Sequence, residues 1–229
     1  MIVVLTGAGI SAESGVPTFR DAGGLWEGHA VADVATPEAF AANPDLVQSF
    51  YDTRRRLLAD VEPNPAHYAL AQLEAAYDDG LVIVTQNIDD LHERAGSQSV
   101  VHMHGQLRSA LCTSCGQQSP WDGDLAPHPP CPVCGRHTLR PDVVWFGEVP
   151  YDMEYIQHAL LMCDEFVSIG TSGAVYPAAG FVSFAGATGA RTLEINLERS
   201  EGSDNFGESR RGPAGMLVPE WVDEVLARR

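Results

Sequence analysis

The chain has no lysine. All fourteen of its basic side chains are arginine, set against thirty-one Asp and Glu in 229 residues, for a formal net charge of -17. That imbalance argues against general affinity for nucleic acid, because phosphate binding rests on Lys and Arg neutralising backbone charge. It suits solubility, and it favours basic partners over acidic ones. Long apolar runs are also missing. Nothing approaches the stretch of about 18 residues that a spanning helix needs. The opening Met1-Ile2-Val3-Val4-Leu5 is too short for the apolar core of a signal peptide, so no membrane partner and a cytoplasmic location are expected. Internal repeats are absent, and low complexity is confined to the loop around Glu201-Gly202-Ser203-Asp204. Cysteine is scarce, five in all, with four in two close pairs and one alone. Without a secretion signal that pattern points to metal rather than disulfide.

What is present is the composition of a globular protein, 45% hydrophobic and 20% charged, with enough chain for one core and a small insert. Short β-branched runs recur at Ile2-Val3-Val4-Leu5, Leu81-Val82-Ile83-Val84-Thr85, 165–170 and 191–195. Helical segments lie between them, and Thr36-Pro37-Glu38 and Asn64-Pro65-Ala66 each put a capping side chain ahead of a proline at the first helical position. Such alternation predicts an α/β fold, a Rossmann-type parallel sheet with helices on both faces. Residues 108–140 break the rhythm. They are rich in Cys, Pro and Gly without apolar periodicity, and read as an insert held by something other than a core.

Four motifs carry chemistry. Gly7-Ala8-Gly9-Ile10-Ser11 directly follows the first strand run, where glycines let a backbone approach a pyrophosphate and a helix start offers free N–H groups. The G-x-G-x5-G spacing to Gly15 is not the ordinary dehydrogenase fingerprint, and a plain tight turn fits it equally well. Cys112-x2-Cys115-x15-Cys131-x2-Cys134 supplies four thiolates for a tetrahedral Zn²⁺ with no position left open for water, so the metal is expected to be structural. Cys163, alone at the end of an apolar helix, reads as a buried core thiol. Gln86-Asn87-Ile88-Asp89 ends a strand where open α/β sheets place ligands, although turn and capping roles suit the same residues. In His102-Met103-His104-Gly105 the two histidines share a face, and spacing does not choose between them; either has the ordinary pKa of a general base at neutral pH.

Taken together, GAGISAESGVPTFR at 7–20, QNID at 86–89, HMHG at 102–105, the four cysteines, GTSGAVYPA from 170 and INLE at 195–198 resemble the sirtuins, NAD-dependent protein-lysine deacylases, over nearly the whole chain. The resemblance implies a Rossmann-type NAD-binding domain from 1–30, 64–107 and 141–229. It implies a smaller domain from a helical part, 31–63, and the zinc-binding insert, 108–140, with NAD and acyl-lysine meeting between the two. It places Gly7, Ala8, Gly9 and Ser11 at the phosphate loop. Thr18, Phe19 and Arg20 fall in the cofactor-binding segment that continues to Trp26, Arg20 being a cation for the phosphates. Gln86, Asn87, Ile88 and Asp89 match the nicotinamide-ribose pocket, and Gly170, Thr171, Ser172, Asn196, Leu197, Glu198 and Ala214 the adenosine half. It makes His104 the catalytic base and His102 structural. The implied reaction gives nicotinamide, O-acyl-ADP-ribose and free lysine: the acyl oxygen attacks the nicotinamide ribose, and His104 deprotonates a ribose hydroxyl to move the acyl group across. Val144-Trp145-Phe146-Gly147-Glu148 resembles the segment that pairs as a strand with substrate, Val144, Phe146 and Gly147 being the contacts. The same pocket in an NAD glycohydrolase or ADP-ribosyl transferase would consume NAD without acyl-lysine.

The run Arg54-Arg55-Arg56 stands out in so acidic a chain. On a helix over 44–60, Tyr51 and Arg54 lie three apart on one face while Arg55 and Arg56 turn away, and those two are expected to be solvated or paired with the acidic surface. Tyr51-x-x-Arg54 resembles the motif of the sirtuin subclass, class III with bacterial and archaeal members, that removes succinyl and malonyl groups. A guanidinium fork takes a carboxylate bidentately and a phenol adds a third bond. Ala22 matches the small residue that leaves room for the longer chain. Two features depart from the family. Only five residues precede Thr6-Gly7, so a helix ahead of the first strand is expected to be missing and Met1 need not be the native start. Asp21 stands beside the implied acyl pocket, where a carboxylate facing inward would oppose a succinyl group.

Overall fold

The computed structural model describes residues 1–18, 25–26 and 28–228. Its elements run β1 (Ile2–Thr6), α1 (Ala8–Ser11), β2 (Leu25–Trp26), β3 (His29–Ala30), α2 (Val31–Val34), α3 (Pro37–Ala42), α4 (Pro44–Leu58) and α5 (Pro65–Ala76). Then come β4 (Leu81–Thr85), α6 (Leu91–Ala95), β5 (Val100–His102), β6 (Gly105–Cys112), β7 (Gln118–Pro120), β8 (Leu139–Val143), α7 (Met153–Met162), β9 (Glu165–Ile169), α8 (Phe181–Ala187), β10 (Arg191–Asn196), β11 (Glu208–Arg211) and α9 (Ala214–Ala227).

The four β-branched runs form the middle of a parallel six-stranded sheet in the order β11-β10-β9-β1-β4-β5. Its outer strands escape the sequence reading, β5 because it has only three residues and β11 because it is short and polar. Both faces are covered, which is why the central strands are apolar at successive positions rather than alternate ones. Ile2, Val4, Leu81 and Ile83 pack on one face with Leu70 and Leu73 of α5 and Val218 and Trp221 of α9. Val3, Leu5, Val82 and Val84 pack on the other with Ile156 and Leu160 of α7 and Phe181 and Val182 of α8. The chain starts mid-sheet, moves outward through β4 to β5, then restarts on the other side of β1 at β9. That reversal opens a crevice at the C-terminal ends of β1 and β9, where such sheets bind their ligands.

The predicted helix starts form as read. Thr36 Oγ1 accepts the Ala39 N–H at 3.1 Å, and Asn64 Oδ1 accepts that of Ala66 at 3.0 Å. A third cap of the same kind, Asn43 before Pro44, accepts the Leu46 N–H at 3.1 Å and opens α4.

A separate antiparallel sheet, β7-β6-β8, carries the cysteine pairs. It exceeds the insert boundaries 108–140 at both ends, since pairing runs from Gly105 with Val143 to Cys112 with Leu139. The two strands run through the join, with a shift of register between Gln106 and Ala110. The helices of 31–63 pack on this sheet through Val47, Phe50, Tyr51, Leu107, Val143 and Trp145.

Arg55, expected to be solvated or paired with the acidic surface, is paired with a carboxylate, but inside the protein. It is 3% exposed and paired with the equally enclosed Asp52 at 2.7 Å, and its Nε donates to the Leu107 carbonyl at 2.6 Å. Asp52 also accepts the backbone N–H groups of Leu125 and Ala126. The reason is geometric: the α4 face next to Tyr51 and Arg54 meets the insert, so Arg55 turns from one contact into another. Arg56 behaves as expected, exposed and paired with Asp124.

Candidate functional site

The loops that leave β1 and β9 touch backbone to backbone. The Gly7 N–H donates to the Ile169 carbonyl at 3.0 Å and that of Gly9 to the Gly170 carbonyl at 2.9 Å. A Cβ on Gly9 would stand 2.6 Å from the Gly170 Cα. Loop-to-loop packing therefore requires a glycine at both positions, with the Gly7 and Gly9 N–H groups bonded to the β9 loop. Ser11 is fully buried beneath them. Its hydroxyl donates to Asp89 Oδ2 at 3.0 Å and accepts from Asn87 Nδ2 at 3.1 Å. Asn87 also donates to the Gly7 carbonyl at 3.2 Å, so the phosphate-loop and QNID motifs are one hydrogen-bonded unit. Burial pushes the Asp89 carboxyl above its ordinary pKa.

Two residues of this unit carry no motif. His67, third in α5, accepts the Asn64 N–H on Nδ1 at 3.3 Å, which leaves its Nε2–H to face Ser11 Oγ at 3.5 Å. His92 Nε2 lies 3.0 Å from Thr6 Oγ1, and the two rings meet edge to face with centroids 5.0 Å apart. Burial lowers the His67 pKa to about 4. The Asn-Pro cap before His67 was the only signal available, and it spoke of a helix start rather than a site.

The two histidines of HMHG clasp successive carbonyls of the β4–α6 turn. His104 Nδ1 lies 3.1 Å from the Gln86 carbonyl and His102 Nδ1 3.3 Å from that of Asn87. A carbonyl only accepts, so His104 carries its proton on Nδ1 and keeps a lone pair on Nε2. Burial draws the His104 pKa below its ordinary value, partly offset by the Gln86 carbonyl. For His102 burial acts in the same sense. Glu93, 2.6 Å from Nε2, together with Asn87 and Asp89, outweighs it and raises the pKa. One face thus holds a neutral base beside an imidazolium engaged at both nitrogens.

In the far half of the crevice Thr171 bonds Ser168, and the Asn196 side chain donates to the Thr171 carbonyl at 2.7 Å. Ser172 is half-buried, Leu197 and Glu198 are exposed, and Ala214 is buried at the start of α9. Thr18 and Ala8 are half-buried, as is Ile88, which packs under the α4 cluster. Phe19, Arg20, Asp21 and Ala22, and the side chain of Trp26, lie outside the described residues.

Tyr51 and Arg54 do share the inward face of α4. Tyr51 is 0% and Arg54 8% exposed, and the Arg54 guanidinium lies 3.2 Å from the Phe50 ring centre. Residues 144–148 form a turn, and part of their backbone is bonded within the chain. Val144 N–H donates to the His104 carbonyl and Phe146 N–H to that of Ala35, while the Trp145 N–H goes to Glu148. Phe146 and Gly147 are exposed and Val144 half-buried.

The four cysteine sulfurs lie within 4.8 Å of one another, with Cys112 to Cys134 at 3.6 Å and Cys115 to Cys131 at 3.9 Å. A disulfide needs about 2.05 Å. Tetrahedral Zn–S bonds of about 2.3 Å place sulfurs about 3.8 Å apart, so the donor set fits a closed, structural Zn²⁺. Cys163 is buried against α7. Among the described residues no helix is long and apolar enough to cross a membrane.

The chain is similar to proteins named NAD-dependent protein deacylase. That of Salmonella typhimurium (strain LT2) is 56% identical over 98% of this chain and 84% of its own length. That of Pasteurella multocida is 56% identical over 98% and 97%. Among solved structures, a Sir2 homolog–NAD complex is 40% identical, superposes with a TM-score of 0.90 and covers 99% of this chain and 90% of its own. A Sir2 protein bound to acetylated peptide is 26% identical with a TM-score of 0.83, over 98% and 93%. The Sir2 family model matches residues 7–177, most of the chain and every site motif up to the β9 loop, and the chain belongs to the Sir2 family.

Proposed function

We propose that the chain is an NAD-dependent protein-lysine deacylase in which His104 is the catalytic base. The observation that carries this is the His104 tautomer. With Nδ1–H donated to the Gln86 carbonyl and the pKa drawn below its ordinary value, Nε2 is a neutral acceptor at pH 7, as proton removal from a ribose hydroxyl requires. The residues around it suit a dinucleotide. The joined loops of Gly7–Ser11 and Gly170–Ser172 lie at the sheet reversal, Asn87 and Asp89 are fixed on the His104 side, and Asn196 and Glu198 offer polar groups to an adenosine. NAD, when bound, supplies an activated ribose carbon that accepts the acyl oxygen as nicotinamide leaves. One water, whose oxygen enters the acyl group as the lysine nitrogen leaves, completes the balance, and the products are nicotinamide, O-acyl-ADP-ribose and free lysine. The four cysteines hold Zn²⁺ away from this chemistry, and thiolate ligands suit a reducing, cytoplasmic setting. Lysine-rich, acylated proteins are the expected partners of so acidic a surface. Nucleic acid is not, since the insert carries only Arg108, Arg136 and Arg140, and the first and last of these are committed to carboxylates. His104→Ala is expected to abolish turnover of acetyl, malonyl and succinyl peptides alike; retention of deacylation on any of them contradicts the assignment.

Acyl groups ending in a carboxylate are the preferred class. Tyr51 and Arg54 present a phenol and a guanidinium from the same buried helix face, and a charge-assisted bond of roughly 1.5 to 3 kcal/mol corresponds to about ten- to a hundredfold in selectivity. Arg54→Met is expected to lower kcat/KM for succinyl-lysine peptide by that factor more than for the acetyl-lysine peptide. Equal losses on both would end this part of the proposal.

A further inference from the structure

The turn between β4 and α6 is fastened along its length to residues 102–107. Four successive carbonyls each take one bond from that segment. Thr85 accepts the Met103 N–H at 3.1 Å and Ile88 the Leu107 N–H at 2.8 Å; between them Gln86 faces His104 Nδ1 and Asn87 faces His102 Nδ1. Two of these partners are backbone groups, which always carry their hydrogen. The other two are imidazoles, which can lose a proton or change tautomer.

For His102, 7% exposed, the number of protons follows from its partners. Nδ1 lies 3.3 Å from the Asn87 carbonyl and Nε2 2.6 Å from Glu93 Oε1. A carbonyl and an ionised carboxylate both only accept, so the two bonds exist together only when both nitrogens carry hydrogen. A neutral His102 would keep its proton on the shorter, charge-assisted bond to Glu93 and turn a lone pair on the Asn87 carbonyl.

Resting on the reading of His104 as the catalytic base, we infer that His102, kept an imidazolium by Glu93, is a positioning residue. It pins the Asn87 carbonyl, and through the adjoining Gln86 peptide it holds His104 in the tautomer with its lone pair on Nε2. The two carbonyls belong to successive planar peptides joined at the Asn87 Cα, so rotation of one realigns the other. The Asn87 side chain stays bonded to Gly7 and Ser11, so what is lost with the His102 proton is alignment rather than fold.

The titratable and charged groups around His102 are Glu93 and His92 on α6, Asp89 in the turn, and Arg108, Asp142, Tyr151 and Asp152 about the cleft onto which it opens. Burial disfavours the imidazolium, but Glu93, with Asn87 and Asp89, outweighs it and lifts the pKa above the ordinary 6.5. Tyr151, pushed up to about 12, does not titrate in the same range. Activity therefore needs His104 neutral and His102 charged, and kcat/KM falls on the alkaline side as His102 gives up its proton.

The test measures kcat/KM for one acetyl-lysine peptide against pH in the zinc-loaded wild-type protein, Glu93→Gln, His102→Asn and His102→Gln. An Asn amide nitrogen reaches about as far as Nδ1, toward Asn87, and a Gln amide nitrogen about as far as Nε2, toward Glu93; neither titrates. His102→Gln is expected to lower kcat/KM about tenfold at pH 7, the low end for one charge-assisted hydrogen bond. His102→Asn should recover most of that loss and show no alkaline limb, Glu93 being 41% exposed and left to water. Glu93→Gln should move the limb to lower pH. Equal losses in the Asn and Gln variants, or an alkaline limb that is absent from the wild-type protein or ignores Glu93→Gln, overturns the inference. Imidazole ¹⁵N spectra read the same coupling without turnover, and in the wild-type protein alone if the variants do not fold. The His104 tautomer should give way as His102 loses its proton; a His104 spectrum blind to that titration overturns the inference. His104→Ala separates the two readings. Deacylation that survives it removes the base and this inference with it, whereas loss of deacylation there without the His102 effects removes only the role given to His102.

Discussion

Arg55 and Arg56 are neighbours in sequence, and the structure predicts that replacing Arg55 costs at least about three times as much free energy as replacing Arg56. The Arg55–Asp52 pair is enclosed, with side-chain exposures of 2% and 1%. It ties α4 to the insert through the Leu107 and Gly123 carbonyls and the Leu125 and Ala126 N–H groups. Arg55→Met leaves the Asp52 carboxylate buried without its cation, and breaking one side of such a pair costs about 3 to 5 kcal/mol. At roughly 2 to 4 °C per kcal/mol for a chain of this size, the melting temperature should fall by about 6 to 20 °C. Arg56 pairs with Asp124 at the surface, both side chains about half exposed, and Arg56→Met should cost less than about 1 kcal/mol. Scanning calorimetry on the zinc-loaded protein, backed by urea midpoints, measures both. A loss below about 1 kcal/mol for Arg55→Met, or equal losses for the two variants, would refute the reasoning.

Two further expectations follow from the site and the insert. Because burial lowers the His104 pKa and the base acts when neutral, kcat/KM should be flat near pH 7 and fall on acidification with an apparent pKa below about 6.5; an acid limb centred above that value contradicts the assignment. Among the described residues the core beneath the cysteines has Ala110, Cys112, Leu125, Cys131 and Leu139 as its buried members, too few to stand alone. Chelation should therefore release one Zn²⁺ per chain and abolish hydrogen-exchange protection across 105–143 while β1, β4 and β9 stay protected. Protection of the insert that survives metal removal would show the core suffices.

The parts of the molecule that could be read from sequence are those in which one local pattern implies one local structure. Apolar runs gave the inner strands, Thr-Pro and Asn-Pro pairs gave helix starts, and two C-x2-C pairs gave the sulfur cluster. What escaped depends on partners distant along the chain. Arg55 looks like its neighbours until the insert folds against α4. Gly7 and Gly9 follow a strand in the sequence, and their packing against Gly170, some 160 positions away, could not be read from it. His67 and His92 sit on helices with no motif of their own and meet only because α5 and α6 both border the β1 loop. In the turn at 144–148 the Val144 and Phe146 N–H groups go to the carbonyls of His104 and Ala35, both distant in sequence.

The central claim is that NAD cleavage by this chain is coupled to an acyl-lysine through His104. The most direct measurement is nicotinamide release followed by mass spectrometry with and without an acylated peptide. The account predicts one nicotinamide and one O-acyl-ADP-ribose per lysine freed, little release without peptide, and none of these products in His104→Ala. Rapid nicotinamide release that ignores the peptide, with free ADP-ribose as product, would contradict it and mark the site as a glycohydrolase.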